Sequence, residues 1–235
     1  MSAQLALNLR LRESASLANF HPARNAEALD CLRRALDSLT AEKPTEPVVY
    51  LWGPSGSGRT HLLQAACHRA QALALSFVYV PFNEVHSLSP SLLDGFESAA
   101  LVCLDDLHAI AGSRAWEEAV FALTERLRAR DGLLVVAADA PPVQLKITLP
   151  DLITRLSCGP VYPLQLLDDE EKLAALQLRA SRLGLELPLD VARYVLARYP
   201  RDMGSLFAWL DRTDRQAFVS QRRLTIPFVR ELEKE

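Results

Sequence analysis

The chain has 235 residues, 49% of them hydrophobic and 23% charged, which is the balance of an ordinary soluble globular protein. This length provides a sizeable core, in one domain or in a large and a small one. A net charge of −3 and an isoelectric point near 6.0 argue against a protein whose whole surface binds nucleic acid, although they leave room for a local basic patch.

The cysteines and the apolar segments indicate the compartment. The four cysteines lie far apart among apolar residues and form no CxxC pair, which predicts buried, reduced thiols rather than a zinc site or a disulfide framework. The N-terminus has no long apolar stretch and is not a signal peptide, and the longest apolar run, Leu133 to Ala138, is too short to cross a bilayer. We therefore expect a cytoplasmic protein without a membrane segment. The cysteines are Cys31, Cys67, Cys103 and Cys158.

In chain order, the first predicted element is an extended tail over residues 1–12, in which leucines alternate with other residues. Helical spacing follows over residues 25–39, and the charged, proline-containing run 41–47 predicts a loop. Short apolar runs then alternate with helical patterns, which predicts a parallel sheet with helices on both faces over residues 13–162. The predicted strands are 48–52, 77–80, 101–104 and 133–137, and the predicted helices between them include 59–72 and 115–130.

Beyond residue 163 the pattern changes and only helical spacing remains. Amphipathic helices are predicted over residues 168–183, 189–198 and 202–223, separated by proline-containing turns. We therefore expect an α/β domain followed by a small α-helical domain over residues 163–235.

The strongest motif is the run Gly-Pro-Ser-Gly-Ser-Gly-Arg-Thr over residues 53–60. It fits the phosphate-binding pattern G-x-x-x-x-G-K-[ST] except that Arg59 replaces the lysine. Glycines allow the backbone N–H groups to face phosphate oxygens at the positive end of the following helix, and Thr60 would offer a hydroxyl to Mg²⁺. A plain glycine-rich turn is the alternative. Because a guanidinium is bulkier than an ammonium and planar, we expect nucleotide binding but weak hydrolysis of the chain's own ATP.

A second motif is the apolar strand 101–104, which ends in two carboxylates. Downstream of a phosphate-binding loop this is the Walker B arrangement. We expect Asp105 to hold Mg²⁺, directly or through water, and Asp106 to stand where an attacking water is polarised. Taken alone, such a string is usually only a strand that ends in solvent.

These motifs resemble the AAA+ core of the DnaA family, and the resemblance spans nearly the whole chain. It is carried by residues 53–61, 105–108 and 151–156, and by Asn19, Phe20 and Asn25, which are similar to the segment that frames the adenine. The resemblance implies an AAA+ P-loop fold with a helical lid and a bound adenine nucleotide, ADP or ATP, with Mg²⁺. The nucleotide-binding residues that it implies are Gly53, Gly56, Ser57, Gly58, Arg59, Thr60, His61 and Asp106.

Within the family, the chain is most similar to the short Hda type, which carries a clamp-binding tail and lacks a DNA-binding domain. The tail sequence Gln-Leu-Ala-Leu-Asn-Leu is similar to sliding-clamp peptides, whose leucines enter apolar pockets in an extended conformation. A disordered or edge-strand N-terminus is the alternative. Because the chain ends after the helical part, without a helix-turn-helix, we expect no sequence-specific DNA binding. The clamp-binding residues that the similarity implies are Gln4, Leu5, Leu7 and Leu9.

The resemblance assigns Arg155 as an arginine finger, which reaches the γ-phosphate in a neighbouring protomer's site. An ordinary surface arginine is the alternative. Two positions depart from the family's pattern: Gly204 stands where many members have the sensor 2 arginine, with Arg201 three residues earlier, and Asp139 is the only polar group near the sensor 1 position. With Arg59, these departures favour a protein that holds ADP and acts on its partner's ATP.

The function that the resemblance implies is regulatory inactivation of the replication initiator DnaA. The nucleotide-bound protein, tethered to the sliding clamp of DNA polymerase, would stimulate hydrolysis of DnaA-bound ATP and so repress re-initiation. The alternatives are a DnaA-like ATPase such as a helicase loader, which usually keeps the lysine that Arg59 replaces, and a direct binder of origin DNA. Homo-oligomer formation is left open by the sequence.

Overall fold

The sheet of the α/β part has five strands in the described part of the chain. They are β1 (Val48–Trp52), β2 (Phe77–Pro81), β3 (Leu101–Asp105), β4 (Leu133–Ala138) and β5 (Val161–Pro163). In this computed structural model, which describes residues 11, 15–41, 47–220 and 224–232, all strand pairs are parallel and the order is β2-β3-β4-β1-β5. The central strands consist almost entirely of buried apolar residues, because a parallel sheet is covered on both faces.

The helices of the described residues lie on both faces of this sheet and then continue beyond it, with several short 3₁₀ helices in the connections. Those of the α/β part are α1 (Ala26–Ser38), α2 (Arg59–Ala72), α3 (Phe82–Val85), α4 (Arg114–Arg128) and α5 (Pro150–Ser157), and those that follow are α6 (Asp169–Arg182), α7 (Leu189–Arg198), α8 (Met203–Ser220) and α9 (Ile226–Leu232).

The core is divided by the sheet, because successive side chains of a strand point to opposite faces. In β1, Val48 and Tyr50 belong to the cluster that includes the apolar stripes of α4 and α5. Val49 and Leu51 belong to the cluster on the other face, with α1 and α2. The parallel sheet covered on both sides, predicted from the sequence, is therefore confirmed.

A third apolar cluster holds α6 to α9 together and involves none of the strands. Its first helix begins at a capping box, in which Asp168 accepts from the backbone N–H of Glu171 at 2.9 Å and the Glu171 carboxylate accepts from that of Asp168 at 2.8 Å. The predicted helical part that follows the α/β part is confirmed. The helix α9 was not predicted.

Two details of the sequence analysis need correction. Cys158 is exposed, whereas Cys31, Cys67 and Cys103 are buried as predicted. The reason is that Cys158 follows the last turn of α5, whose buried residues are Leu152 and Leu156. In addition, β5 was missed because it has three residues of intermediate or high exposure, too few for an apolar pattern to be visible.

Candidate nucleotide site

The loop between β1 and α2 has the backbone shape that its glycines allow. Gly56 and Gly58 have φ angles of 84° and 96°, in the left-handed region that side chains disfavour. Gly53 has no room for a side chain, since a Cβ there would collide with the carbonyl oxygen of Leu164. The loop therefore curls at the N-terminus of a fourteen-residue helix, where backbone N–H groups and the helix dipole favour an anion.

Two polar side-chain atoms of this loop are buried without a hydrogen-bond partner. They are Oγ of Ser57 and Nη1 of Arg59. The Arg59 side chain is only 10% exposed, and its Nη2 lies 3.5 Å from Oδ1 of Asp106. Because unpaired buried polar groups are costly, both atoms call for a ligand with oxygen acceptors, and a phosphate group fits them.

Asp105, at the end of β3, lies directly behind the loop. Its side chain is buried, lies near the hydroxyl of Thr60 and accepts a hydrogen bond of 2.8 Å from the hydroxyl of Tyr79. Burial and the neighbouring charge of Asp106 raise the pKa of Asp105, against the opposing effect of these two hydroxyl groups. Burial and the nearby Asp105 carboxylate likewise raise the pKa of Tyr79. The structure thus brings Thr60 and Asp105 together.

Asp106 has an unusual backbone conformation for a residue with a side chain, with φ 54° and ψ 46°. Its Oδ2 accepts a hydrogen bond of 2.5 Å from the amide of Asn83, and its Oδ1 faces Arg59. Strain of this kind persists where the surroundings fix a functional geometry. Sequence reasoning missed Asn83, although it comes two residues after β2, at the same edge of the sheet as Asp105.

The segment before α1 covers the loop. The ring of Phe20 lies 5.9 Å from that of His61, and a Cβ on Gly58 would lie 2.7 Å from Phe20. The buried side chain of Asn25 donates to the backbone oxygen of Gln165 at 3.0 Å and accepts from its N–H at 2.8 Å. These contacts join the N-terminal segment to the connection between the sheet and the helical part.

A cleft of about 580 Å³ results between the loop, the N-terminal segment and the helical part. Seven of the eight predicted nucleotide residues line it, as do Asn19, Phe20 and Asn25, whereas Gly53 does not. His108 also lines it and was not predicted, and its Nδ1 lies 3.8 Å from Oδ1 of Asp139. The lining residues among the predicted set are Gly56, Ser57, Gly58, Arg59, Thr60 and His61, and Asp106 lines the cleft as well.

The helical part contributes no arginine to the lining of the cleft among the described residues. Met203 and Gly204, at the start of α8, line it together with Asp202. Arg201 is instead 62% exposed and pairs with Asp169, with Nη1 at 3.1 Å from Oδ2. The structure therefore keeps Arg201 in a surface ion pair and leaves the Gly204 position without a side chain.

Arg155 lies outside the cleft, on α5. Its Nε is 2.6 Å from Oε1 of Glu125 on α4, and its Nη2 donates a hydrogen bond of 3.2 Å to Oε2. The side chain is 31% exposed. The predicted clamp-binding residues Gln4, Leu5, Leu7 and Leu9 fall outside the residues that the structure describes, whereas Leu11 packs against the core cluster of α1 and α2.

Comparison with known protein families agrees with this geometry. Residues 31–162, more than half of the chain, match the family model of the bacterial DnaA ATPase domain. The chain therefore belongs to the DnaA-related family of AAA+ proteins. Residues 169–232 match the model of the Hda lid domain, so that its helical part is a lid of the Hda type.

Solved structures agree on the fold. AMPPCP-bound DnaA from Aquifex aeolicus is 22% identical with a TM-score of 0.69, over 86% of this chain and 66% of that chain. Domain III of DnaA from Thermotoga maritima is 18% identical with a TM-score of 0.72, over 93% and 95% of the two chains. A DNA replication initiation factor is 21% identical with a TM-score of 0.69, over 89% of this chain and 65% of that chain. This chain thus spans slightly under two thirds of the length of the first and third of these relatives.

Among the described residues, no helix is both long and apolar enough to cross a membrane. The same residues contain no cluster of three or more histidine, cysteine or acidic side chains suited to a metal ion. Thr60 and Asp105 would therefore need oxygen ligands from elsewhere, such as nucleotide phosphates and water, to complete the coordination of Mg²⁺.

Proposed function

We propose that this chain holds an adenine nucleotide, is tethered to the polymerase sliding clamp and stimulates hydrolysis of ATP bound to DnaA. The observation that carries the proposal is the location of Arg155, half-exposed on α5 and outside the chain's own nucleotide cleft. A cation at this position does not contact a phosphate bound in the cleft of its own molecule. It is available to a neighbouring protomer, and the membership of the DnaA family suggests DnaA as that neighbour.

For the nucleotide, we propose that residues of the loop between β1 and α2 hold the phosphates. The support is the pair of unpartnered atoms, Ser57 Oγ and Arg59 Nη1, beside backbone that only glycine adopts readily. Phe20, Asn25 and His61 would frame the base, from the segment that covers the loop. Mg²⁺, when bound, supplies positive charge beside the phosphates, and Thr60 and Asp105 would hold it there.

We propose that the chain keeps ADP and turns over its own ATP slowly. Asp106, expected to polarise water, has one oxygen 3.5 Å from Arg59 and the other accepting from Asn83, and both contacts compete with a water for this carboxylate. The Gly204 position provides no charge, and Arg201 is paired with Asp169. A hydrolytic site needs positive charge beside the transferred phosphoryl group, and Arg59 is the one arginine that the described residues place in the lining of this cleft.

For the partner's ATP, we propose that Arg155 provides the missing charge. A guanidinium spreads its charge over several N–H donors, which matches the charge on the equatorial oxygens of a phosphoryl group in transfer. The clamp-binding tail, residues 4–9, would keep the protein at replicating DNA. This localisation raises its effective concentration near DnaA without any further contact.

The test is the Arg155→Ala variant, assayed for hydrolysis of DnaA-bound ATP in the presence of DNA-loaded clamp. We expect a loss on the order of 10³-fold in the stimulated rate, because a finger arginine supplies that much or more. Nucleotide binding and melting temperature should remain those of the parent chain.

Arg114→Ala is the matched control, since Arg114 is also a surface arginine in an ion pair, with Glu118 at 2.7 Å. It should stimulate hydrolysis as the parent chain does. Undiminished stimulation by Arg155→Ala would reject the assignment of the finger.

A further inference from the structure

The helix α4 directs two carboxylates toward the segment that carries Arg155. Glu117 and Glu125 are eight residues apart, which is slightly more than two helical turns and leaves them on neighbouring faces of the helix. Glu117 contacts the backbone just before α5, and Glu125 contacts Arg155 itself. The sequence analysis assigned no role to either residue.

Glu117 fixes the start of α5. It is completely buried, and its carboxylate accepts hydrogen bonds from the backbone N–H groups of Gly112, Thr148 and Leu149 at 2.8–3.0 Å. The hydroxyl of Thr148 donates a further bond of 2.6 Å. Because a buried carboxylate with several donors has few alternative arrangements, the backbone at the first turn of α5 is held against α4.

Glu125 fixes the guanidinium at the other end of this arrangement. Its two oxygens face Nε and Nη2 of Arg155, at 2.6 Å and 3.2 Å. Nη1 makes no contact with a partner among the described residues, and the Arg155 side chain keeps 31% of its surface exposed. Glu125 therefore occupies the Nε and Nη2 edge of the guanidinium and leaves Nη1 outside this pair.

We propose that Glu125 is a positioning residue, which holds Arg155 by its Nε edge so that its Nη1 side meets a phosphate in a neighbouring protomer. This inference rests on the proposed role of Arg155. A long arginine side chain has many rotamers, and fixing one of them before the partner arrives lowers the entropy lost at the transition state. The negative charge of Glu125 weakens the attraction of Arg155 for a phosphate only to a limited extent, since Glu125 is 37% exposed and solvent screens its charge.

The experiment compares Glu125→Ala and Glu125→Gln with the parent chain in the DnaA-bound ATP assay, over a range of concentrations of this protein. Glu125→Ala should lower the maximal stimulated rate by about 10-fold or more, because misplacement by about 1 Å is costly in catalysis. The concentration for half-maximal stimulation should stay unchanged. Glu125→Gln keeps an oxygen that accepts from the guanidinium and should retain most of the rate.

Glu118→Ala is the matched control, since Glu118 lies on the same helix in an exposed ion pair with Arg114. It should behave as the parent chain does. Adding Glu125→Ala to Arg155→Lys should have no further effect, because lysine has no Nε edge for the carboxylate to hold. Melting temperatures of all variants check that a loss of rate is not a loss of fold.

The outcomes separate this inference from the proposed function. If Arg155→Ala has no effect, both are overturned. If Arg155→Ala abolishes stimulation while Glu125→Ala keeps the parent maximal rate, the finger stands and the positioning role of Glu125 is rejected. A higher maximal rate in Glu125→Ala also overturns it, since the ion pair would then withhold Arg155 from the partner.

Discussion

The nucleotide cleft and the surface around Arg155 are built in opposite ways. In the cleft, the polar groups face inward: Ser57, Arg59 and Asp105 have little exposure, and two of them contain atoms without partners. At the surface of α5, Arg155 already has a partner in Glu125 and still remains 31% exposed. The first region has buried polar atoms that a bound phosphate would complete, whereas in the second an exposed cation is already paired within the chain.

Under the proposed function, one AAA+ fold separates the binding of a nucleotide from the stimulation of hydrolysis. The cleft has the groups for binding phosphate, but its Asp106 is engaged by Arg59 and Asn83. The cation that we propose for the partner's transition state, Arg155, lies elsewhere, on a helix that a buried carboxylate, Glu117, holds in position. We infer that the two tasks are divided between two molecules.

The largest expected effect concerns the proposed clamp-binding tail, residues 4–9, whose leucines we expect to bind a partner rather than the chain's own core. Burying each leucine is worth roughly 1.5–3 kcal/mol, so Leu7→Ala/Leu9→Ala should weaken clamp binding by about 3–6 kcal/mol, or roughly 10²- to 10⁴-fold. The melting temperature should not change. Surface-immobilised clamp and a thermal melt provide the two measurements.

Leu11→Ala is the control for this experiment, because Leu11 is also a leucine near the N-terminus but packs against the protein's own core. It should lower the melting temperature and leave clamp binding intact. If the double variant of Leu7 and Leu9 has a lower melting temperature but still binds the clamp, those leucines belong to the core instead.

The second-largest expected effect is on the affinity of the cleft for nucleotide. Arg59→Ala removes the one arginine that lines the cleft among the described residues, and hydrogen bonds to charged groups are worth about 1.5–3 kcal/mol, so nucleotide affinity should fall roughly 10- to 100-fold. Titration calorimetry with ADP measures this. Arg69→Ala, on the same helix but in an exposed pair with Asp37, should bind ADP as the parent chain does. Equal affinity in the Arg59 variant would mean that the phosphates lie elsewhere.

The smallest effect is a pH dependence of stability. The pKa of Asp105 is raised by burial and by Asp106, so at neutral pH its ionised form costs folding free energy. Asp105→Asn should therefore melt at a slightly higher temperature near pH 7. This gain should disappear as the pH falls through the raised pKa toward the ordinary value of 3.8, since Asp105 then becomes neutral. Melts from pH 7 to pH 4 measure it, and a gain that is independent of pH would contradict the assigned cause.

The sequence predicted the parts of the structure that depend on local pattern. The apolar runs of β1, β3 and β4 are long enough to identify buried parallel strands, and the glycines before Arg59 identify the loop. It missed contacts that join distant segments, because their residue types are common everywhere. The pairing of Asn25 with Gln165 and that of Arg155 with Glu125 leave no periodic trace in the sequence.

The exposure of Cys158 could also not be predicted from the sequence, for a related reason. Its neighbours are apolar, but whether a residue after a short helix turns inward depends on where that helix ends. The same holds for Arg201, which is paired with Asp169 and is not among the residues that line the cleft, although its neighbour Asp202 is.

The most direct measurement of the central claim follows two nucleotides at once. This protein is loaded with ATP that carries one label, DnaA with ATP that carries another, and both are incubated with DNA-loaded clamp. We predict that the label on DnaA is converted to ADP while that on this chain remains unchanged over the same time. Conversion of this chain's own ATP at a comparable rate, with or without DnaA, would contradict the division between a holding site and a finger that acts on a neighbour.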